Sequence, residues 1–324
     1  MIKRIRSALT ALALPAALAC AQAAADYPDH PVTIVVPWSA GGSADIVGRM
    51  IGKQLSERLE QPVVIENRPG ATGTIGSCFV VRARADGYTL ILNTNSTYAI
   101  VPHLYNKVAC DIGRGLSPIA LAATNQQVLA LNPAVGVKDI PAFLELLRAS
   151  PNKLAFGSSG VGGSSHLAME QFLSMTKTEM LHVPYKGGSD VLQALLGNQV
   201  QAAFVDASTA VPVARAGKII ALGGSGSEPV IGMQSIRPIK DLGVPDFQSY
   251  TEFALFAPAG TPPEVIAKLN RVLNQATQSD AFRKLMVDNG FSPGGGAPAE
   301  LDSLIQAESR RWGELIRSRG IKAD

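Results

Sequence analysis

Apolar positions along this chain alternate between two rhythms. Residues 32–36, VTIVV, form an apolar, β-branched run of the kind that makes a buried strand. Pro37 closes it, and Trp38-Ser39-Ala40-Gly41-Gly42-Ser43 follows as a turn of small residues. The spacing then becomes helical, with Ile46, Val47, Met50, Ile51, Leu55 and Leu59 on one face. Ser43 is the expected N-cap, since its hydroxyl can accept from a free first-turn N–H. A strand, a glycine turn and a helix start together make an anion site. The unpaired N–H groups and partial positive charge of the helix end favour an oxygen anion, and glycine lets a ligand approach the backbone. No Lys or Arg lies between Val32 and Gly48, so backbone and hydroxyl donors must do the holding.

The alternation continues. Residues 63–67 read as a second strand, followed by a glycine-punctuated turn over 68–76 and a helix through Val80 and Val81. Residues 88–92 are a third strand, with Asn93, Thr94, Asn95 and Ser96 at its carboxyl end. Strands alternating with helices imply parallel pairing, with ligands outside the carboxyl ends of the strands. Residues 93–96, from Asn93 to Ser96, are therefore expected to share a crevice with the opening loop. Two apolar segments, 119–123 and 127–131, lead toward a second half in which the design repeats. A helix marked by Phe143, Leu144, Leu146 and Leu147 precedes a short strand at 153–156. The loop Gly157-Ser158-Ser159-Gly160-Val161-Gly162-Gly163-Ser164-Ser165-His166 leads into a helix carrying Leu167, Met169, Phe172 and Leu173. This loop too has no basic residue. Two such loops in separate halves imply a ligand clamped between domains.

Further strands are expected at 180–183, at 200–205 with Asp206 at its end, and at 219–222, with a helix stripe of Val191, Leu192, Leu195 and Leu196 between the first two. Residues 253–257 bring the chain back to its first domain. Thr261-Pro262-Pro263-Glu264 reads as a capping box opening a helix. Two more helices follow, over 280–289 and 298–319.

At 324 residues the chain has room for two domains, and 46% hydrophobic with 17% charged residues is a globular composition. The first 25 residues read as a secretory signal peptide: Lys3, Arg4 and Arg6, a short apolar run over 8–19, then small-residue cleavage sites near 23–25. Export to the periplasm is the expectation, with Cys20 a poor fit to a lipoprotein site. Cleavage removes three positive charges and brings the formal charge from +3 to near zero. No basic stripe points to nucleic acid. Cys78 and Cys110 remain after cleavage. In an exported protein they could form a disulfide, and two buried thiols are an equal reading.

Much familiar chemistry is missing. The four histidines, His30, His103, His166 and His182, stand in no metal-ligand spacing. There is no CxxC, no GxSxG elbow and no GxxxxGK[ST] loop, and the second glycine loop lacks the third glycine of a dinucleotide fingerprint. No cofactor and no metal are expected. A hydrolase built on Ser164 or Ser159 with His166 and Asp206 is the enzymatic alternative, but nothing in the spacing sets a nucleophile–base–acid geometry. His166 is more simply a first-turn residue that donates to a ligand or to its own loop, and His182 a core or edge histidine. Asp45 suits a helix start through the dipole. Asp206 is either a strand-end turn residue or a recogniser of a hydroxyl, amine or protonated carboxyl. Arg68 and Lys186 are the basic residues nearest the crevice loops.

Taken in order, these pieces resemble the substrate-binding proteins of tripartite tricarboxylate transporters, also called Bug proteins. The resemblance rests on Tyr27-Pro28, on 31–37, on Gly41-Gly42-Ser43-Ala44-Asp45 and on Glu66-Asn67-Arg68-Pro69-Gly70-Ala71. It continues through Asp86-Gly87-Tyr88-Thr89-Leu90, the second glycine-serine loop, Pro184-Tyr185-Lys186-Gly187-Gly188 and 257–262. It implies a non-catalytic receptor with a two-domain α/β periplasmic-binding (Venus-flytrap) fold, each domain a mostly parallel sheet flanked by helices. The first domain would comprise 26–123 plus 249–324, the second 124–248. Carried over by position, the ligand contacts are Ser39, Ala40, Gly41, Gly42, Ser43 and Asp45 in the first loop. Ser158, Ser159, Gly160, Gly163, Ser164 and His166 match in the second, and Asn93, Ser96 and Asp206 match further crevice positions. The implied partners are a small organic acid and the membrane subunits of such a transporter, with the receptor a monomer. A sensor presenting the same ligand to a signalling receptor is the other binding-protein reading. The chain departs from the family pattern at Asn95-Ser96-Thr97-Tyr98, at Cys110 and at Phe253, where tryptophan is common. These departures bear on the identity of the ligand.

Overall fold

The structure, a computed structural model, describes residues 27–105 and 109–322. The expected signal segment lies outside the described residues. The chain begins with strand β1 (Val32–Val36), helix α1 (Ser43–Leu59), β2 (Val63–Asn67), α2 (Thr74–Val81) and β3 (Thr89–Thr94). A long strand β4 (Leu116–Leu131) leads to α3 (Ile140–Ala149), β5 (Ala155–Ser158), α4 (Ser164–Thr176) and β6 (Leu181–Pro184). Next come α5 (Gly188–Leu196), β7 (Ala202–Asp206), α6 (Ala207–Arg215) and β8 (Ile220–Gly224). The chain closes with β9 (Tyr250–Pro258), α7 (Pro263–Gln278), α8 (Asp280–Asp288), β10 (Phe291–Gly295) and α9 (Pro298–Arg319).

The strands lie in the order β2-β1-β3-β9-β4-β7-β5-β6, with β8 and β10 also paired to β4. Strand–helix alternation gives parallel pairs at both ends, β1 with β2 and β3, and β5 with β6 and β7. The middle is antiparallel, because β9 returns the chain against β3 and β4. The two apolar segments expected at 119–123 and 127–131 are one strand. Its first part pairs with β9 as far as Gln126 opposite Tyr250, and its last part pairs with β7 from Gln127 opposite Asp206. The polar triplet Thr124-Asn125-Gln126 interrupts the hydrophobic pattern but not the ladder.

Apolar packing gathers on both sides of that crossing. Val32, Ile34 and Val36 pack with Val47, Ile51 and Leu55 of α1, with Leu269 and Leu273 of α7, and with Phe253 and Leu255 of β9. Leu129 and Leu131 instead join Phe143, Phe156, Phe172, Phe204 and Phe247. Leu167 of α4 meets Trp312 and Ile316 of α9 and Ile100 and Leu104 in a cluster that ties the C-terminal helix across the two. Burying one such side chain is worth about 1.5–3 kcal/mol, so these clusters hold each side of the molecule together.

Two local expectations fail for physical reasons, and one strand arises where none was expected. Helix α7 begins at Pro263 with Pro262 before it, and the Thr261 hydroxyl donates to the Pro258 carbonyl at 2.8 Å, so no capping box forms. Ser43 is the first residue of α1, and Gly42 holds the cap position. Strand β10 was not legible: Pro293 and two glycines are poor strand formers, and only the ladder offered by 121–125 of β4 makes them extended. Cys78 and Cys110 are joined in a disulfide, with Cα atoms 5.5 Å apart and a sequence separation of 32. Removing it as Cys78→Ala/Cys110→Ala frees that loop in the unfolded chain. We expect a loss of about 3–4 kcal/mol in guanidinium unfolding of the oxidised protein. A midpoint unchanged from wild type would show that the bridge does not constrain the chain.

Candidate functional site

The loop after β1 is drawn into shape by its own helix. The Gly41 amide donates to Asp45 at 3.0 Å, and Arg49, one turn on, holds the same carboxylate. Burial pushes the Asp45 carboxyl up, but hydrogen bonds from Arg49, Gly41 and Asn67 outweigh it and leave it below the usual range. Asp45 thus fastens the loop instead of reaching the crevice. Ser39 donates to Asp190 of α5 at 2.8 Å, 151 residues away. Ser43 donates to Asp206 at the end of β7, which explains why its hydroxyl does not cap α1.

The second loop is equally organised. The Ser158 hydroxyl bonds the Gly160 carbonyl at 3.0 Å and the His182 ring at 2.6 Å. His166 accepts from the Gly162 amide at 3.0 Å and stacks on His182 with ring centres 3.8 Å apart. Gly162 has φ +75°, and a Cβ there would fall 1.9 Å from Leu104 of the opposite side, so glycine is required by both conformation and contact. Ser164 is the first residue of α4. Its amide donates to Ser96 at 2.8 Å, and its hydroxyl lies 3.1 Å from Thr251 and 3.5 Å from Gln127. The hydrolase arrangement is therefore not built: Ser164 pairs with Thr251 and Gln127, while His166 is buried against its own loop and His182. Burial holds both imidazoles below the ordinary range, His182 at about 4.

Between the loops lies a cavity with about 540 Å³ of space, part of it open to solvent. Ser39, Gly42, Ser43, Ser96, Ser159, Ser164 and Asp206 line it. The others expected there lie around it. Ala40 and Gly41 face solvent. Asn93 points to the opposite face of β3, where it bonds Ser77 at 3.0 Å. Ser158, Gly160, Gly163 and His166 shape the second loop from behind. A Cβ on Gly163 would meet the Ser159 hydroxyl at 2.6 Å.

Thr94, from the expected 93–96 stretch, and several residues that sequence reasoning missed complete the wall. Thr94, next to Asn93, faces the cavity, as side-chain alternation along a strand requires. Its hydroxyl is buried and has no partner among the described residues. Thr251 and Gln127 come from β9 and β4 at the crossing, and Trp38, Phe204 and Phe253 supply apolar surface. Thr94 carried a sequence signal through that alternation, and Phe253 stood out as a departure from the family pattern; Gln127, Thr251, Trp38 and Phe204 carried none.

The first turns of α1, α4, α5 and α6 all reach this cavity, through Ser43 and Ala44, Ser164 and Ser165, Gly188, and Thr209. Helix starts carry unpaired N–H groups and partial positive charge, so their convergence suits an anion without any Lys or Arg in the wall. Among the described residues no group of His, Cys, Asp and Glu could hold a metal ion, and no helix is long and apolar enough to cross a membrane.

Behind the cavity, next to Thr251 on β9, Glu252 is buried and accepts from the Tyr98 hydroxyl at 2.7 Å. Burial, then the nearby Glu308 charge, pushes its carboxyl up to about 7, against the Tyr98 hydrogen bond and Arg311. Arg311 of α9 in turn reaches the Gln248 carbonyl and Gln171 of α4.

Comparison with known proteins gives a consistent picture. The family model described as tripartite tricarboxylate transporter family receptor matches residues 47–321. Protein BugT of Bordetella pertussis is 32% identical over 312 residues, covering 95% of this chain and 94% of its own. A solved R. palustris protein, Rpa4515 with adipate, superposes with a TM-score of 0.89 at 30% identity, covering 91% of this chain and 99% of that one. MatC from Rhodopseudomonas palustris with bound malate gives a TM-score of 0.84 at 31% identity, covering 90% and 100%. The shared architecture is the two-domain α/β fold of periplasmic solute-binding proteins.

Glu252 carries a pH dependence with a definite sign. The folded protein keeps this proton up to about 7, whereas the unfolded chain releases it near 4.5. Stability from this group therefore falls as pH rises through that window, by roughly 2–3 kcal/mol. The buried histidines act oppositely, costing stability as pH falls below 6.5. Glu252→Gln isolates the carboxyl: we expect it to stabilise the protein at pH 8 and leave pH 5 nearly unchanged in urea unfolding. An equal effect at both pH values would show that Glu252 does not titrate in this window.

Proposed function

The chain belongs to the tripartite tricarboxylate transporter receptor family, and on that premise we propose that it captures a small organic acid in the periplasm and delivers it to the membrane subunits of such a transporter. The family is one of substrate-binding receptors rather than enzymes. The observation that carries the reading is the convergence of four helix starts and a ring of hydroxyls on one cavity without a basic side chain. In such a site a carboxylate is held by oriented backbone amides and hydroxyls.

The ligand's carboxylate is proposed to sit against the first turns of α1 and α4, at Ser43 and Ala44 on one side and Ser164 and Ser165 on the other. The unpartnered Thr94 hydroxyl supports this placement, since a buried donor without a partner is costly unless a ligand or water completes it. We propose a first domain drawn from 26–123 and 249–324 and a second from 124–248. The two would close on the acid by hinge motion where β4 and β9 pass between them. The receptor is proposed to act as a monomer, exported by its N-terminal segment. The relatives solved with adipate and malate support a small carboxylate as the cargo.

Calorimetric titration of the mature protein with adipate, malate, succinate and citrate tests this, beside neutral and cationic compounds of similar size. At least one acid should bind one-to-one. Raising the salt from about 0.05 to 0.5 M should change its affinity by less than about threefold, because no side-chain ion pair forms. Ser164→Ala should weaken it about tenfold, the loss of one hydrogen bond to a charged group. Failure of every acid, with binding of a neutral or cationic compound, would overturn the reading.

A further inference from the structure

The cavity wall holds one charge of its own, and it is negative. Asp206 closes β7 and lines the cavity. Its Oδ1 accepts from the Thr251 hydroxyl at 2.7 Å, and its Oδ2 accepts from the Ser43 hydroxyl. Gln127 stands directly opposite it in the β4–β7 ladder. No Lys or Arg among the described residues lines this cavity. Every group around the carboxylate is thus a neutral donor, and those donors fall short of what a carboxylate can accept, which is about four hydrogen bonds.

We infer that Asp206 makes this pocket select an acid that also carries a hydrogen-bond donor, a hydroxyl or a protonated amine, over an acid that carries a second carboxylate. The inference rests on the carboxylate-receptor reading and deepens it. The acid's own carboxylate needs the helix starts, where amides and partial positive charge face it. Asp206 lies beside that grip, bonded to Ser43 and Thr251, and meets the other group that the acid carries into the cavity. A donor there fills open acceptor capacity on a partly buried carboxylate, which makes a charge-assisted hydrogen bond. A second carboxylate there would bring two like charges together in the cavity with no cation to separate them. An unsubstituted acid would leave the partly buried Asp206 undersupplied, a penalty a polar site imposes on analogues lacking the expected group. Burial already pushes the Asp206 carboxyl up, against the hydrogen bonds from Ser43 and Thr251. A further donor from the ligand favours its ionised form.

The same geometry gives Asp206 a second task. Thr251, which it holds, lies 3.1 Å from the Ser164 hydroxyl, and Ser43, which it also holds, begins α1. Asp206 therefore connects the two helix starts proposed to grip the carboxylate, and a ligand donor would tighten that connection when it binds.

Matched four-carbon acids test the inference by calorimetry on the mature protein: butanoate, 2-hydroxybutanoate, 2-aminobutanoate, 4-hydroxybutanoate, 4-aminobutanoate and succinate. At least one donor-bearing acid should bind about tenfold or more tightly than both butanoate and succinate, and whether hydroxyl or amine ranks first identifies the donor. In Asp206→Asn that advantage over succinate should shrink to less than about threefold. The wild-type ranking alone decides the matter if that variant does not fold. Succinate or butanoate binding wild type as tightly as every donor-bearing acid would overturn the inference and leave the carboxylate receptor standing. An unchanged ranking in Asp206→Asn would overturn it equally. Failure of all acids, including those used to test the receptor reading, would overturn both.

Discussion

A single strand serving two sheets is the constraint on which the rest depends. β4 pairs with β9 up to Gln126 and with β7 from Gln127 onward. A strand cannot slip by one residue without turning every side chain to the other face, so the crossing sets the register of both sides at once. It places Gln127 opposite Asp206, and the pairing of β9 with the same strand places Thr251 within reach of that carboxylate. The cavity, its hydroxyls and its lone charge all follow from where this ladder changes partner.

The site built there handles charge without side-chain cations. Four helix starts supply amides, and serines and threonines supply hydroxyls. Such donors are fixed in direction and carry little of the long-range field of a Lys or Arg, which makes recognition a matter of geometry more than of attraction. Several of the hydroxyls already have partners: Ser39 donates to Asp190, Ser43 to Asp206, and Ser96 accepts from the Ser164 amide. These contacts tie each loop to a distant segment while leaving Thr94 without a partner among the described residues.

Reading the sequence led to the right elements but misassigned several side chains within them. The two glycine-serine loops were legible because strand runs, small-residue turns and helical spacing are local signals. Ser43 looks like a cap by the same local logic, yet its hydroxyl goes to Asp206, 163 residues away. Asn93 lies in the right strand but on the wrong face, and its neighbour Thr94 takes the place in the cavity wall. Asp45 and His166 belong to the right loops but hold them in shape. In each case a short-range rule identified the segment, and a long-range contact decided which of its atoms face the cavity.

The sequence by itself determined the α/β class, the family, the repeated strand–loop–helix design and the absence of basic residues from both loops. All of these are written in neighbouring residues, through hydrophobic period, turn chemistry and helix starts. Only the tertiary structure decided that Cys78 meets Cys110, that β10 forms from a proline- and glycine-rich segment, and that Ser43, Asp206 and Thr251 share one hydrogen-bonded group. Those outcomes depend on residues far apart in the chain, brought together by the register of β4 with its neighbours, and no local pattern encodes that register.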